Sequence, residues 1–387
     1  MLIDISRLLG RAGQGRLPTG VDRVILAYVA HWGRQAQAVL QKGTWRRLVP
    51  QAESQALFAL VQNPPADFSW QLGRWMARAF VPPWPSQDAT GQVAFYLGHS
   101  DWDRPGLASW LCQTHQKPVF FVHDLIPITH PEYCRPGETA AHVQRMRLAL
   151  QSGAGVVANS QATLDSLMAF ARQQALPMPP ATVALLAPAA LPDAVCTTRP
   201  LERPYFVVLG TIEPRKNHVL LLTLWRELVA RWGPHAPHLV VIGQRGWECE
   251  NVVDLLERCE ALRGFVHEVP DCPDTELSRY LRHAQALLFP SFTEGYGMPL
   301  AEALQAGTPV LASALPVFRE IAGDVPEYLS PLDGLGWLQV IESYALANSP
   351  RRQAQLQRMS NLQLPTWDQH FEQVQRLLDI LAMDSNG

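Results

Sequence analysis

Cysteine is scarce in this 387-residue chain: the six at 112, 134, 196, 249, 259 and 272 form no Cys-x-x-Cys pair and no zinc-like cluster with histidines. That pattern argues against a disulfide framework or a structural zinc site, and the thiols read as reduced and scattered. No run of 18 apolar residues occurs, which argues against a membrane-spanning helix. Met1-Leu2-Ile3-Asp4-Ile5-Ser6-Arg7 lacks the charged leader and apolar stretch of a signal peptide, so a cytoplasmic location is expected. Positive charge is not in excess either: 32 Lys and Arg face 35 Asp and Glu, a net charge of −3, and nothing suggests nucleic acid as a partner. The halves differ mildly, with 16 basic against 12 acidic residues over 1–198 and 16 against 23 over 199–387. An offset of that size is mostly that of a solvated surface.

What is present is a globular composition, 47% hydrophobic and 17% charged, in a chain long enough for two domains. Short apolar, β-rich runs alternate with longer amphipathic segments, the pattern of βα units building parallel sheets, so the fold class is α/β. In the first half, strands are expected near Leu2–Ile5, Val93–Leu97, Val119–Val122, Val156–Ala158 and Val183–Leu186, with helices near Val21–Trp32, Glu138–Gln151 and Gln161–Gln174. Segment 34–92 gives no clear pattern. Seven prolines between Pro177 and Pro204 mark a linker. A second series follows, with strands near Tyr205–Leu209, Leu239–Ile242, Val266–Val269, Ala286–Phe289 and Val310–Ala312. Helices between them are expected near His218–Ala230, Asn251–Cys259, Thr275–His283, Pro299–Gln305 and Val317–Ala322. The expected division is 1–198, 199–365, and a last helix within 366–387 packing back across the domain junction.

The richest stretch runs Phe289-Pro290-Ser291-Phe292-Thr293-Glu294-Gly295-Tyr296-Gly297-Met298-Pro299-Leu300-Ala301-Glu302-Ala303. It reads as a strand, a glycine-bearing turn and a helix start, with Gly295 and Gly297 allowing close backbone approach to a ligand and Pro299 suited to a first helical turn. Glu294 and Glu302 bracket the turn with seven residues between them, and carboxylates accept well from paired hydroxyls. The stretch resembles the motif of the retaining glycosyltransferases of family 4, which have the GT-B architecture. Ser291, Glu294, Gly295, Gly297, Pro299, Glu302, Ala303, Gly307, Pro309 and Val310 fall where that family's pattern expects them. The resemblance is strong over about 205–330 and loose elsewhere. It implies two Rossmann-like domains with parallel sheets facing a central cleft, Glu294 and the amides from Gly295 through Tyr296 to Gly297 on the donor sugar, and Glu302 on the nucleotide ribose.

Upstream, Leu209-Gly210-Thr211-Ile212-Glu213-Pro214-Arg215-Lys216-Asn217 leads from the second half's first strand into a helix that Asn217 is expected to cap. Ligands of open α/β sheets bind at such strand ends, and Arg215 and Lys216 can neutralise a departing diphosphate without a metal. The family has a basic pair here, and Gly210 joins the expected donor-binding residues.

First-half candidates are fewer. His123-Asp124 ends the strand Val119–Val122, and many family members have a histidine there that meets the transferred sugar. His99-Ser100-Asp101-Trp102-Asp103 follows another strand; His99, Asp101 and Asp124 are candidates for the acceptor side. Asp101 and Asp103 mimic a metal-binding pair of a different glycosyltransferase fold and are read as a decoy, with no metal expected. The loop from Gly15 to Arg23 stands where the family has a diphosphate-binding glycine loop but lacks its usual glycine pair, leaving Gly20 and Arg23 as its candidates. Trp70 to Phe80, ending at Trp84, mixes aromatics with arginines and suits either buried packing or peripheral contact with the inner face of a membrane.

The expected activity is transfer of a hexose-type sugar, mannose foremost, from a nucleotide-diphosphate sugar to a hydroxyl of a saccharide or lipid-linked saccharide. By resemblance the anomeric configuration is retained, no cofactor is needed, and the setting is bacterial surface polysaccharide synthesis. The rival readings are a non-catalytic nucleotide-sugar-binding subunit and a sugar-nucleotide epimerase.

Overall fold

The computed structural model describes residues 1–16, 18–65, 67–79, 89–192 and 198–383, with backbone only over 76–79. Leu17, the stretch from Phe80 to Trp84, and Cys196 lie outside the described residues. The chain divides into two units: Met1–Thr129 with Pro136–Leu186 and the segment from Trp367 on, and His130–Arg135 with Ala187–Thr366.

Among the described residues the first unit is built on seven strands, β1 (Leu2–Asp4), β2 (Gln37–Lys42), β3 (Trp45–Leu48), β4 (Val93–Tyr96), β5 (Lys117–Val122), β6 (Gly155–Ala158) and β7 (Ala181–Val183), in the order β3-β2-β1-β4-β5-β6-β7. All pairings are parallel except that of β2 with β3, a hairpin turning at Gly43, which takes φ +61°. This hairpin and the helices Gln51–Gln62 and Phe68–Ala79 make up most of the described part of the segment whose sequence gave no clear pattern. On the last of these helices Trp70 is 59% exposed, with the Arg74 guanidinium 4.6 Å from its ring centre.

Among the described residues the second unit has six strands, all parallel: β8 (Tyr205–Leu209), β9 (His238–Ile242), β10 (Val266–Val269), β11 (Leu287–Phe289), β12 (Val310–Ser313) and β13 (Glu327–Leu329). Their order is β10-β9-β8-β11-β12-β13. Central strands such as Tyr-Phe-Val-Val-Leu in β8 are buried on both faces, which is why they read as continuous apolar runs rather than alternating ones. Trp225 and Trp337 are fully buried in this unit, and their indole N–H groups donate to the carbonyls of Pro237 and Ser330, each at 2.9 Å, so neither carries an unsatisfied donor into the core.

Two sequence expectations need correction. The strand near Val183–Leu186 sits earlier, at Ala181–Val183, inside the proline-rich stretch, so the residues just after Pro180 are sheet edge rather than linker. The division between units falls after Leu186, not after residue 198, and His130–Arg135 groups with the second unit. The final helix, Trp367–Met383, belongs to the first unit. There His370 Nδ1 meets the carbonyls of Ala184 and Leu185 at 3.1 Å, Nε2 meets the Tyr28 hydroxyl at 3.1 Å, and Phe371 packs beside Tyr28, Trp32 and His31.

Candidate functional site

Strand order in the second sheet reverses at β8, whose neighbours are β9 on one side and β11 on the other. Loops leaving adjacent strands in opposite directions open a crevice at their carboxyl ends, the usual ligand position of such sheets. Here β8 delivers the turn Gly210–Asn217, and β11 delivers Pro290–Gly297. The two charged groups of the sequence motif meet at this point.

Glu294 is the centre. Its Oε1 accepts from Lys216 Nζ at 2.5 Å and from the Ser291 hydroxyl at 2.7 Å, and its Oε2 accepts from Arg215 Nη1 at 2.7 Å. Arg215 also donates through Nε to Glu213 at 3.1 Å and reaches the Thr293 carbonyl at 3.4 Å. Burial alone would raise the Glu294 pKa, but Arg215 and Lys216, with the bonds from Lys216 and Ser291, bring it down to about 2. The carboxylate is therefore ionised at every working pH; it can accept hydrogen bonds, and it has no proton to give. Lys216 is itself buried, which pulls its pKa down against the opposing pull of Glu294. Its ammonium lies 4.9 Å from the Phe289 ring centre, and its stem passes 3.4 Å from where a Cβ on Gly210 would stand.

Backbone geometry fixes the two turns. Gly210 has φ +138°, and Gly243 approaches so closely that a Cβ there would lie 2.1 Å from the Gly210 carbonyl oxygen. Gly297 has φ +126°, and a Cβ would stand 2.6 Å from the Phe318 ring, so the residue before the helix Met298–Gln305 has to be glycine. Asn217 departs from its expected capping role. It precedes the helix His218–Trp232 with φ +58°, but its side chain makes no cap; Nδ2 donates instead to the carbonyls of Pro290 at 3.3 Å and Pro331 at 3.0 Å. It thus ties the β8 turn to the β11 turn. Tyr296 and Glu302 are both buried, the first in the turn and the second on the helix that follows.

Sequence reading therefore found Gly210, Arg215, Lys216, Glu294 and Gly297 together, and it missed the supporting Glu213 and Ser291. Ser291 stood in the motif without a role. Glu213 gave only the signal of an acid two residues before an arginine.

The remaining candidates lie in the first unit. His123, at the end of β5, is buried, and its Nε2 is 2.7 Å from the Leu97 carbonyl. A carbonyl can only accept, so Nε2 carries the proton and Nδ1 is left as a lone pair. Burial lowers its pKa to about 4, so the ring stays neutral. His99 has φ +53° and accepts the His123 backbone N–H on its own Nε2 at 3.1 Å, which fixes it as the Nδ1–H form; burial holds its pKa well below 6.5. His142 joins them, its ring centre 5.2 Å from that of His99. These three line an open cavity of about 340 Å³ with Arg7, Asp124 and Arg145.

Asp124 accepts the Ile126 N–H at 3.0 Å, the local capping role of an aspartate at a turn. Asp101, at φ +60°, accepts from the Gly43 N–H and from Arg104, whereas Asp103 pairs with Arg145 at 2.8 Å; the two carboxylates serve different partners. Gly20 opens the helix Gly20–Trp32 behind Thr19, which forms a capping box with Asp22, and buried Asp22 pairs with Arg7 at 3.1 Å and Arg11 at 2.9 Å.

Residues 197–326 match the family model of glycosyl transferases group 1. The serotype-specific mannosyltransferase WbdA of Escherichia coli is 27% identical over 286 residues, covering 68% of this chain and 34% of that protein. O-antigen chain mannosyltransferase B of Escherichia coli is 34% identical over 129 residues, covering 33% of each. The chain spans about a third of the length of these curated relatives. Among solved structures, HepE of Anabaena in complex with UDP superposes with a TM-score of 0.66 at 15% identity, covering 98% of both chains. TarM of S. aureus gives 0.53 at 12% identity, covering 74% of this chain and 55% of that one. Such identities speak for fold alone, and the fold is GT-B: two α/β domains on largely parallel sheets. Its second domain carries the group 1 glycosyl transferase signature. Among the described residues no helix is long and apolar enough to cross a membrane.

Proposed function

We propose that the protein is a retaining glycosyltransferase of family 4 that moves a hexose, mannose foremost, from a nucleotide-diphosphate sugar to a saccharide hydroxyl in surface polysaccharide synthesis. The observation that carries this reading is the Arg215–Glu294–Lys216 cluster at the switch point of the second sheet. Two cations held at that edge suit a diphosphate whose negative charge grows as the sugar leaves, and Glu294 supplies fixed acceptors for sugar hydroxyls. Arg215 and Lys216 take the part that a divalent cation plays in other transferases. Glu294 is pinned by three donors, an arrangement that suits holding a sugar rather than swinging in as a nucleophile. In this reading a phosphate oxygen takes the acceptor's proton, and His123 offers its Nδ1 lone pair to a sugar hydroxyl. The named activities of WbdA and of O-antigen chain mannosyltransferase B favour mannose and polysaccharide.

The test is incubation with GDP-mannose, UDP-glucose, UDP-N-acetylglucosamine and dTDP-rhamnose, following free nucleoside diphosphate with and without EDTA. Release from one donor, unaffected by EDTA and lost in Glu294→Ala, is the expected result. Silence with all donors, despite nucleotide binding, would move the reading to a non-catalytic subunit.

A further inference from the structure

Residues His130–Arg135 lie in sequence between two helices of the first unit, Ile126–Thr129 and Glu138–Ser152, yet they group in space with the second. Pro131 starts a single 3-10 turn, Pro131–Tyr133, closed by the Tyr133 N–H to the His130 carbonyl and the Cys134 N–H to the Pro131 carbonyl, both at 3.1 Å. Proline at that place sets φ in advance, so the turn is cheap to order. It lays the Tyr133 ring parallel to the ring of Phe292, with centres 5.7 Å apart and planes within 7°. His130 lies parallel to Tyr133 in turn, 6.1 Å away.

Phe292 is a residue of the donor motif. Its backbone N–H donates to the Arg215 carbonyl at 2.9 Å, Ser291 before it bonds Glu294, and the Thr293 carbonyl after it meets Arg215. Whatever holds the Phe292 ring therefore holds the turn on which Glu294 stands. Both rings are half-exposed, so their contact contributes little to the core and its removal leaves the fold intact.

We propose that Tyr133 is a positioning residue for the donor site: by stacking on Phe292 it fixes the Ser291–Glu294 turn, and with it the angle at which Glu294 meets the donor sugar. The proposal rests on the donor-site reading above. It assigns a role in that site to a segment contributed by the first half of the sequence.

The test combines kinetics with hydrogen exchange on the full chain. Tyr133→Ala is expected to raise the donor KM roughly tenfold, the order expected for one lost aromatic contact at a binding site, with thermal unfolding shifted by no more than about 2 °C. Tyr133→Phe keeps the stack and should behave as the parent. The pair Tyr133→Ala with Phe292→Ala should be no worse than the weaker single variant, because both remove one interaction. In Tyr133→Ala the amides of 291–296 should exchange faster while those of β12 are unchanged. Additive losses, or unchanged exchange over 291–296, would overturn the proposal. If the parent protein releases nucleoside diphosphate from no donor, the activity reading fails by itself, and the exchange pattern still decides the role of Tyr133.

Discussion

At the scale of single residues, the site turns on how much charge can be buried when every partner is in place. Glu294 and Lys216 are each less than a tenth exposed, and an isolated charge at that depth is strongly disfavoured. They persist because Arg215, Ser291 and the Phe289 ring complete the set. Removing one member leaves another uncompensated. Lys216→Ala leaves Arg215 alone with both Glu213 and Glu294, so the cluster turns from neutral to net negative at the place proposed for the diphosphate. We expect turnover to fall on the order of 100- to 1000-fold, the range for loss of one preorganised charge stabiliser, in steady-state assays of donor turnover. A loss below about threefold would remove Lys216 from the mechanism.

At the scale of elements, the legible parts of the sequence were those whose signal is local. Strands β8, β9 and β12 are apolar runs buried on both faces, and the turn after β11 announces itself through Gly295, Gly297 and Pro299. The β2–β3 hairpin was hidden because its edge strand, Trp-Arg-Arg-Leu, is half-buried and polar, and its turn is a lone Gly43-Thr44. Asn217 was misread for a different reason. A cap is the local expectation for asparagine before a helix, whereas its actual partners, Pro290 and Pro331, stand 73 and 114 residues away. The same applies to Tyr133: Pro131-Glu132-Tyr133 gives a turn, but nothing in it announces Phe292. The short strand Glu327–Leu329 and the helices Gly334–Ala345 and Pro350–Met359 were not assigned, the strand because three residues carry too little periodicity.

At the scale of the whole molecule, buried neutral histidines set the response to acid. His123, His218 and His370 are all held down to about 4 by burial, against about 6.5 when unfolded. Depressed folded-state values mean that the unfolded chain binds more protons between those limits. Their stabilising contribution is therefore complete above about pH 6.5 and lost as pH falls towards 4. Glu294, with about 2 folded against 4.5 unfolded, extends the loss in the same direction below pH 4.5. The unfolding free energy from urea titrations should fall between pH 7 and pH 4.5, by up to about 7 kcal/mol if all three histidines act independently. A flat profile over that range would show that these histidines are not buried neutral. The central claim, that Arg215 and Lys216 hold the diphosphate while Glu294 holds the sugar, is tested most directly by calorimetric titration of free nucleoside diphosphates and their nucleotide sugars. The parent protein, Lys216→Ala and Glu294→Ala would be compared. We predict that Lys216→Ala loses affinity for nucleoside diphosphate and nucleotide sugar alike, and that Glu294→Ala keeps nucleoside diphosphate binding but loses the added affinity due to the sugar. Parent-like binding of both ligands by both variants would contradict the account.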